Sequence, residues 1–231
     1  HADAVGYLDD VIENSGYDLV PDYNNLWAQT IDGFVGEDNI ETVFPIKYTY
    51  KGMGDEDLYD GNRWQVQIAV RTQPYLTFAN GWGCCTVNPA LYHAFEPGDT
   101  RRDASIIIWD ALGIDFDASD QREYTGYNWR KFVPVYDTVN DESTTTGLGG
   151  NFMVDNPDDK PEIRFSEVLL TSAELHLSDN PALAQEYFDR VRNRAFGGSA
   201  PPKTVSKENI IEERRLEFAF EGIRYWDIIR Q

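Results

Sequence analysis

The apolar positions of this chain fall into two regimes: they recur at helical spacing near both ends and lose that period in between. Val5, Leu8, Val11 and Ile12 lie three or four apart or adjacent, which predicts a helix over residues 2–14 that ends before Gly16. From residue 161 the period returns. Ile163, Val168, Leu169, Ala173 and Leu177 mark one helix, with Pro161 at its opening. Ala184, Tyr187, Phe188, Val191 and Ala195 mark the next, with Asn180-Pro181 as cap and first turn and Gly197-Gly198 as the stop. A link of roughly three residues pairs these two as an antiparallel hairpin. Ser206 caps a third helix that runs toward Phe220.

Between residues 17 and 92 no period holds. Aromatic residues (Tyr17, Tyr23, Trp27, Phe34, Phe44, Tyr48, Tyr50) are interspersed with Gly, Asp and Asn. Val43, Ile46 and Tyr48 suggest a strand within residues 41–50, and Ile106-Ile107-Ile108 another within 104–109. Residues 89–95 read as a short helix with Pro89 in its first turn, and residues 144–150 as a flexible loop. The fold class is mainly α: TPR-like helical hairpins supporting a long irregular loop-rich region with a few short strands. Only one hairpin is clear, so the pattern predicts a TPR-like unit and not a periodic array.

Charge and composition narrow the partners. The chain has 231 residues, 41% of them hydrophobic, which suits a globular core. Its 40 acidic residues outweigh 20 basic ones, for a net charge of −20. Without a basic run it is a poor ligand for nucleic acid or for anionic lipid, so a neutral ligand or a protein is the natural partner. No apolar stretch is long enough to span a bilayer, and no signal peptide is visible. Cys84 and Cys85 are adjacent, with neither a disulfide framework nor zinc spacing, and are read as a free, partly buried pair.

Little in the sequence points to catalysis. Forty acids make carboxylate pairs inevitable, so they are weak evidence for glycoside hydrolysis. The acidic stretches at 55–61 and 115–120 miss the EF-hand register and read as solvated loops. No nucleophile elbow, zinc helix or phosphate loop occurs. His93 reads as half-buried and polar, and His176 as a helix C-terminal residue facing the dipole. No catalytic residue, metal or cofactor is expected. In the last helix Glu212–Arg215, Arg214–Glu217 and Glu221–Arg224 are three apart, predicting an ion-pair lattice, while Tyr225 and Trp226 beyond Gly222 read as core anchors. Trp27 and Trp109, flanked by apolar residues, read as core too.

Three closing segments carry a family resemblance. Ile163-Arg164-Phe165-Ser166-Glu167-Val168-Leu169-Leu170, then Val191-Arg192-Asn193-Arg194-Ala195, then Glu213-Arg214-Arg215-Leu216-Glu217-Phe218-Ala219-Phe220-Glu221-Gly222-Ile223-Arg224-Tyr225-Trp226-Asp227 resemble, in order and spacing, the C-terminal helices of the SusD/RagB family. Gly81-Trp82-Gly83, Phe95-Glu96-Pro97-Gly98-Asp99, Thr125-Gly126-Tyr127 and Ser15-Gly16-Tyr17 are more loosely similar. The likeness covers most of residues 2–231 as a single, partial domain, with the family's N-terminal helices and C-terminal tail absent. It implies a non-enzymatic glycan-binding protein at the outer-membrane cell surface. Its partner would be a SusC-like TonB-dependent transporter. Membrane contact would come only through a lipid anchor that is not present in this chain. A glycoside hydrolase is the alternative, or a lid subunit of the transporter for peptide uptake. The family's ligand contacts sit in variable loops, so the candidates come from local composition. Trp64 and Tyr59 lie beside Asn62, and Tyr75 precedes Trp82: rings for a sugar's CH face and polar groups for its hydroxyls.

Overall fold

The computed structural model describes residues 2–51, 60–71, 77–114 and 117–230. Helix α1 (Ala2–Asn14) opens the chain, and a 3-10 turn (Tyr23–Trp27) leads to strand β1 (Thr42–Ile46). The middle carries only short elements: α2 (Trp64–Ile68), β2 (Val70–Arg71), β3 (Asn80–Gly81), α3 (Pro89–Tyr92), α4 (Thr100–Ser105), β4 (Ile106–Ile108) and α5 (Trp109–Leu112). After β5 (Tyr127–Trp129), β6 (Tyr136–Asp137), β7 (Glu142–Ser143), α6 (Thr144–Gly147) and β8 (Lys160–Arg164) come the long helices. These are α7 (Phe165–His176), α8 (Pro181–Ala195) and α9 (Lys207–Glu217), followed by the short α10 (Arg224–Arg230).

The predicted hairpin forms. Asn180 caps α8 through Leu183 N–H, Gly197 and Gly198 stop it at positive φ, and Ser206 caps α9. Phe165, Leu169, Leu170, Phe188, Val191 and Ile210 fill the space between α7, α8 and α9, and Leu8, Val11 and Ile12 of α1 pack against them. Asp9 of α1 accepts from Ser172 Oγ at 2.8 Å and lies 3.0 Å from His176 Nε2, so a carboxylate on another helix holds this histidine, rather than the dipole alone.

Several expectations change. Pro161 does not open α7. It sits in β8, opposite Pro45 of β1, and the helix starts only at Phe165. Lacking an N–H suits proline to a two-stranded ribbon with open edges. Residues 104–109 split between the end of α4, β4 and the start of α5. Residues 144–150 are no loose loop: Ser143 and Thr146 form a reciprocal capping box, and Thr144 and Thr145 are buried. Trp109 is buried and Trp27 packs at 4.8 Å on Phe132, but Trp226 and Tyr225 are 66% and 63% exposed. The cause is the anchor of α10. It docks through the buried carboxylate of Asp227, 3.0 Å from Arg214 Nε, which leaves its rings outward.

The charge lattice is real but wired differently. Glu212–Arg215 pairs within α9 at 3.3 Å. Arg214 instead reaches Glu167 and Asp227, while Arg224 donates to the Ile211 carbonyl. The helix ends at Glu217 and Phe220 takes positive φ, so Glu221 and Arg224 do not share a continuous helical face with the residues before them. The lattice joins distant segments in a dry interior. Arg101 meets Glu213 at 2.7 Å, Glu217 at 3.1 Å and Asp99 at 2.7 Å. Arg164 meets Glu217 and Glu221, each at 2.9 Å, and also Glu41. Arg194 pairs with Glu41 at 2.8 Å and with Glu217, Arg192 with Glu213 at 3.0 Å, and Lys131 with Glu221 at 2.8 Å. All ten side chains are at most 3% exposed, and five cations balance five carboxylates. The balance allows so many charges to be buried.

Candidate functional site

Beside this scaffold a hollow of about 590 Å³ opens between residues 47–49 and 60–64, lined by Lys47, Tyr48, Asp60, Asn62, Arg63 and Trp64 among others. Its floor is fixed by backbone. Asn62 N–H donates to Asn156 O at 2.6 Å, its side-chain amide donates to Asp158 O, and its Oδ1 accepts from Trp64 N–H at 2.7 Å. Gly61 is required there, because a Cβ would lie 2.3 Å from Val154 O. Asn62 is therefore buried and holds Trp64 in place, with its amide committed to the fold.

Trp64 begins α2 and is half-buried, with Lys160 Nζ 5.5 Å from its ring centroid and Trp129 at 6.2 Å. Phe220 lies 4.7 Å beyond Trp129. Trp64, Trp129, Phe220 and the exposed Tyr225 line a second cleft of about 330 Å³, so Trp64 forms a wall common to both hollows. A polar hollow thus continues into an aromatic track. Rings in series can meet the CH faces of successive sugar units, and the lysine, arginine and carboxylate of the hollow can meet their hydroxyls.

The sequence candidates fare unevenly. Asn62 and Trp64 come together. Trp82 is 40% exposed but is not among the residues lining either hollow. Its neighbours explain the motif around it: Gly81 passes so near α2 that a Cβ would sit 2.4 Å from Val66 O, and Gly83 has φ of +58°. Tyr59 and Tyr75 lie outside the described residues. Sequence reasoning missed Trp129 on β5, Phe220 in the turn after α9 and Tyr225 on α10, which the fold brings to one cleft. The only local signal was a pair of aromatics flanking Gly222, Phe220 before it and Tyr225 after it, and that pattern reads equally as core.

Other assignments shift as well. Cys84 and Cys85 are free, but exposed rather than partly buried, because their loop runs along the outside of α2. His93 is exposed at the C-cap of α3. Among the described residues no group of three metal-ligating side chains could hold an ion. Glu213 and Glu217 of α9 and Glu221 beyond it line no cleft: all three are buried and paired.

One titrating group stands near Lys47 but is not among the residues lining either hollow. Burial pushes the Glu37 carboxyl up to about 7; Asp159 N–H donates to it at 2.7 Å, Asp158 lies buried nearby, and Lys47 spans Asp38 and Asp159. Asp158 is raised too, chiefly by burial and then by Glu37. A carboxyl raised in the fold holds a proton that the unfolded chain has already released, so its stabilisation is lost as pH climbs through about 7. Glu37→Gln should melt near the wild type at pH 4 and above it at pH 8, a difference read directly from melting temperatures across that range.

The sequence profile of the SusD family matches residues 113–231, just over half of the chain. The chain belongs to the SusD family. A SusD-like protein of Bacteroides ovatus is 25% identical over 229 residues, covering 96% of this chain and 39% of that protein. Among solved structures, a surface glycan-binding protein A from Bacteroides thetaiotaomicron, in complex with laminarihexaose, is 27% identical with a TM-score of 0.82 over 99% of this chain and 50% of its own. A laminarin binding SusD-like protein is 29% identical, also at TM-score 0.82, with 99% and 50% coverage. This SusD-family chain therefore spans between two-fifths and half the length of these relatives. Among its described residues no helix is long and apolar enough to cross a membrane.

Proposed function

We propose that this SusD-family chain holds an oligosaccharide at the outer-membrane cell surface without cleaving it, as part of a protein that passes the sugar to a SusC-like TonB-dependent transporter. The observation that carries the reading is the match of nearly the whole backbone to a relative solved with laminarihexaose. The track of Trp64, Trp129, Phe220 and Tyr225 beside a polar hollow supplies the chemistry. The burial of Glu213, Glu217 and Glu221 leaves those acids no route to a glycosidic bond. A lipid anchor would tether the protein.

Laminarin-type glucan is the first ligand to test. On affinity gels containing laminarin, xyloglucan or starch, the chain should be retarded by at least one, laminarin before the others. Assays of reducing ends in the same mixtures should stay at background. Release of reducing sugar would favour the hydrolase reading, and uniform mobility on every gel would leave the lid role.

A further inference from the structure

We infer that the pocket between the 3-10 turn Tyr23–Trp27 and residues 130–135 is a second sugar-binding site, sized for one neutral hexopyranose unit. It shares no lining residue with the Trp64 hollow or the aromatic cleft and holds about 230 Å³. Its apolar wall is Phe78, half-buried, with Ala104 and Val133. Around that wall stand Asn25, Gln29 and Arg130.

Three facts mark these polar groups as uncommitted. Arg130 is an exposed guanidinium whose Nη1 donates to the Asp103 carbonyl, and among the described residues it forms no ion pair, although the chain carries 40 acids. Each guanidinium of the interior lattice, by contrast, pairs with at least two carboxylates. Asn25 makes no side-chain hydrogen bond among the described residues, and Gln29 Oε1 is buried without a partner. A buried amide oxygen left unpaired is unfavourable, and turning the Gln29 amide toward a ligand hydroxyl would relieve it.

The chemistry selects the ligand. An aromatic edge and aliphatic wall suit the CH face of a pyranose, while amides both donate to and accept from hydroxyls. A planar guanidinium can give parallel hydrogen bonds to two neighbouring hydroxyl oxygens. Among the described residues no carboxylate lines the pocket, so none of them calls for a cation there. A site apart from the track would let one polymer be held at two points, raising its retention without tighter contacts at either.

This inference rests on the glycan-binding reading, and calorimetric titration of the full chain with laminarihexaose separates the two. Asn25→Ala/Arg130→Ala should weaken binding at least about tenfold, with an unchanged melting temperature because both residues are exposed. Adding Phe78→Leu should weaken it further. Affinity of the double variant within about twofold of wild type overturns the second site and leaves the glycan reading standing. A wild type that takes up no glucan overturns both.

Discussion

Glu217→Ala should lower the stability of the folded chain by about 3–5 kcal/mol or more, the range for stripping one partner from a buried ion pair. Glu217 is fully buried and meets the guanidiniums of Arg101, Arg164 and Arg194, so its removal leaves three cations short of a carboxylate with no water to replace it. Burial raises its carboxyl, but the Arg194, Arg164 and Arg101 charges more than reverse that and hold it well below the usual carboxylate range. The sign of the linkage follows. A depressed carboxylate stabilises fully above the unfolded value of about 4.5 and ceases to do so as pH falls through its lower folded value. Wild type should therefore lose stability steeply on acidification below pH about 4.5, and Glu217→Gln should show a shallower acid limb from a lower plateau. Urea melts from pH 2 to pH 7 read both effects. A catalytic acid would behave oppositely: its amide variant would keep or gain stability while losing turnover.

Phe188→Ala should cost about 3–5 kcal/mol, by lost transfer energy and the cavity left behind. Phe188 is fully buried among Phe165, Leu169, Leu170 and Val191, where α7 and α8 meet. Both helices are long and closely packed, so the site has little freedom to collapse. Equilibrium denaturation should show a lower midpoint with an unchanged slope. The two substitutions probe different glues. Moderate salt should leave Phe188→Ala unaffected, and because the lattice is shielded from solvent it should change the Glu217 deficit little as well.

The helical ends were legible because one physical rule, the 3.6-residue period with its caps, acts locally: Asn180, Ser206 and Gly197-Gly198 stand where sequence placed them. The lattice was legible in kind but not in wiring. Spacing along a helix predicts neighbours only while the helix lasts, and α9 stops at Glu217, freeing Glu221 to meet Lys131 and Arg164 from other segments. Pro161 was misplaced because its pairing with Pro45 lies more than a hundred residues away. The candidate site suffered most. Trp64 was found by its polar neighbours, whereas Asn62, chosen for the same reason, proved to be the bond that holds Trp64. Trp129 and Phe220 join the track only through the meeting of β5 with the turn after α9, a long-range event that leaves no local mark.

The sharpest measurement is a paired reading on Trp64→Ala: laminarihexaose affinity by calorimetry and melting temperature on the same sample. The track predicts binding weakened at least about tenfold while the fold melts within a few degrees of wild type, since this ring is only half-buried. Undiminished affinity in a folded Trp64→Ala protein would contradict it and move recognition off the aromatic track.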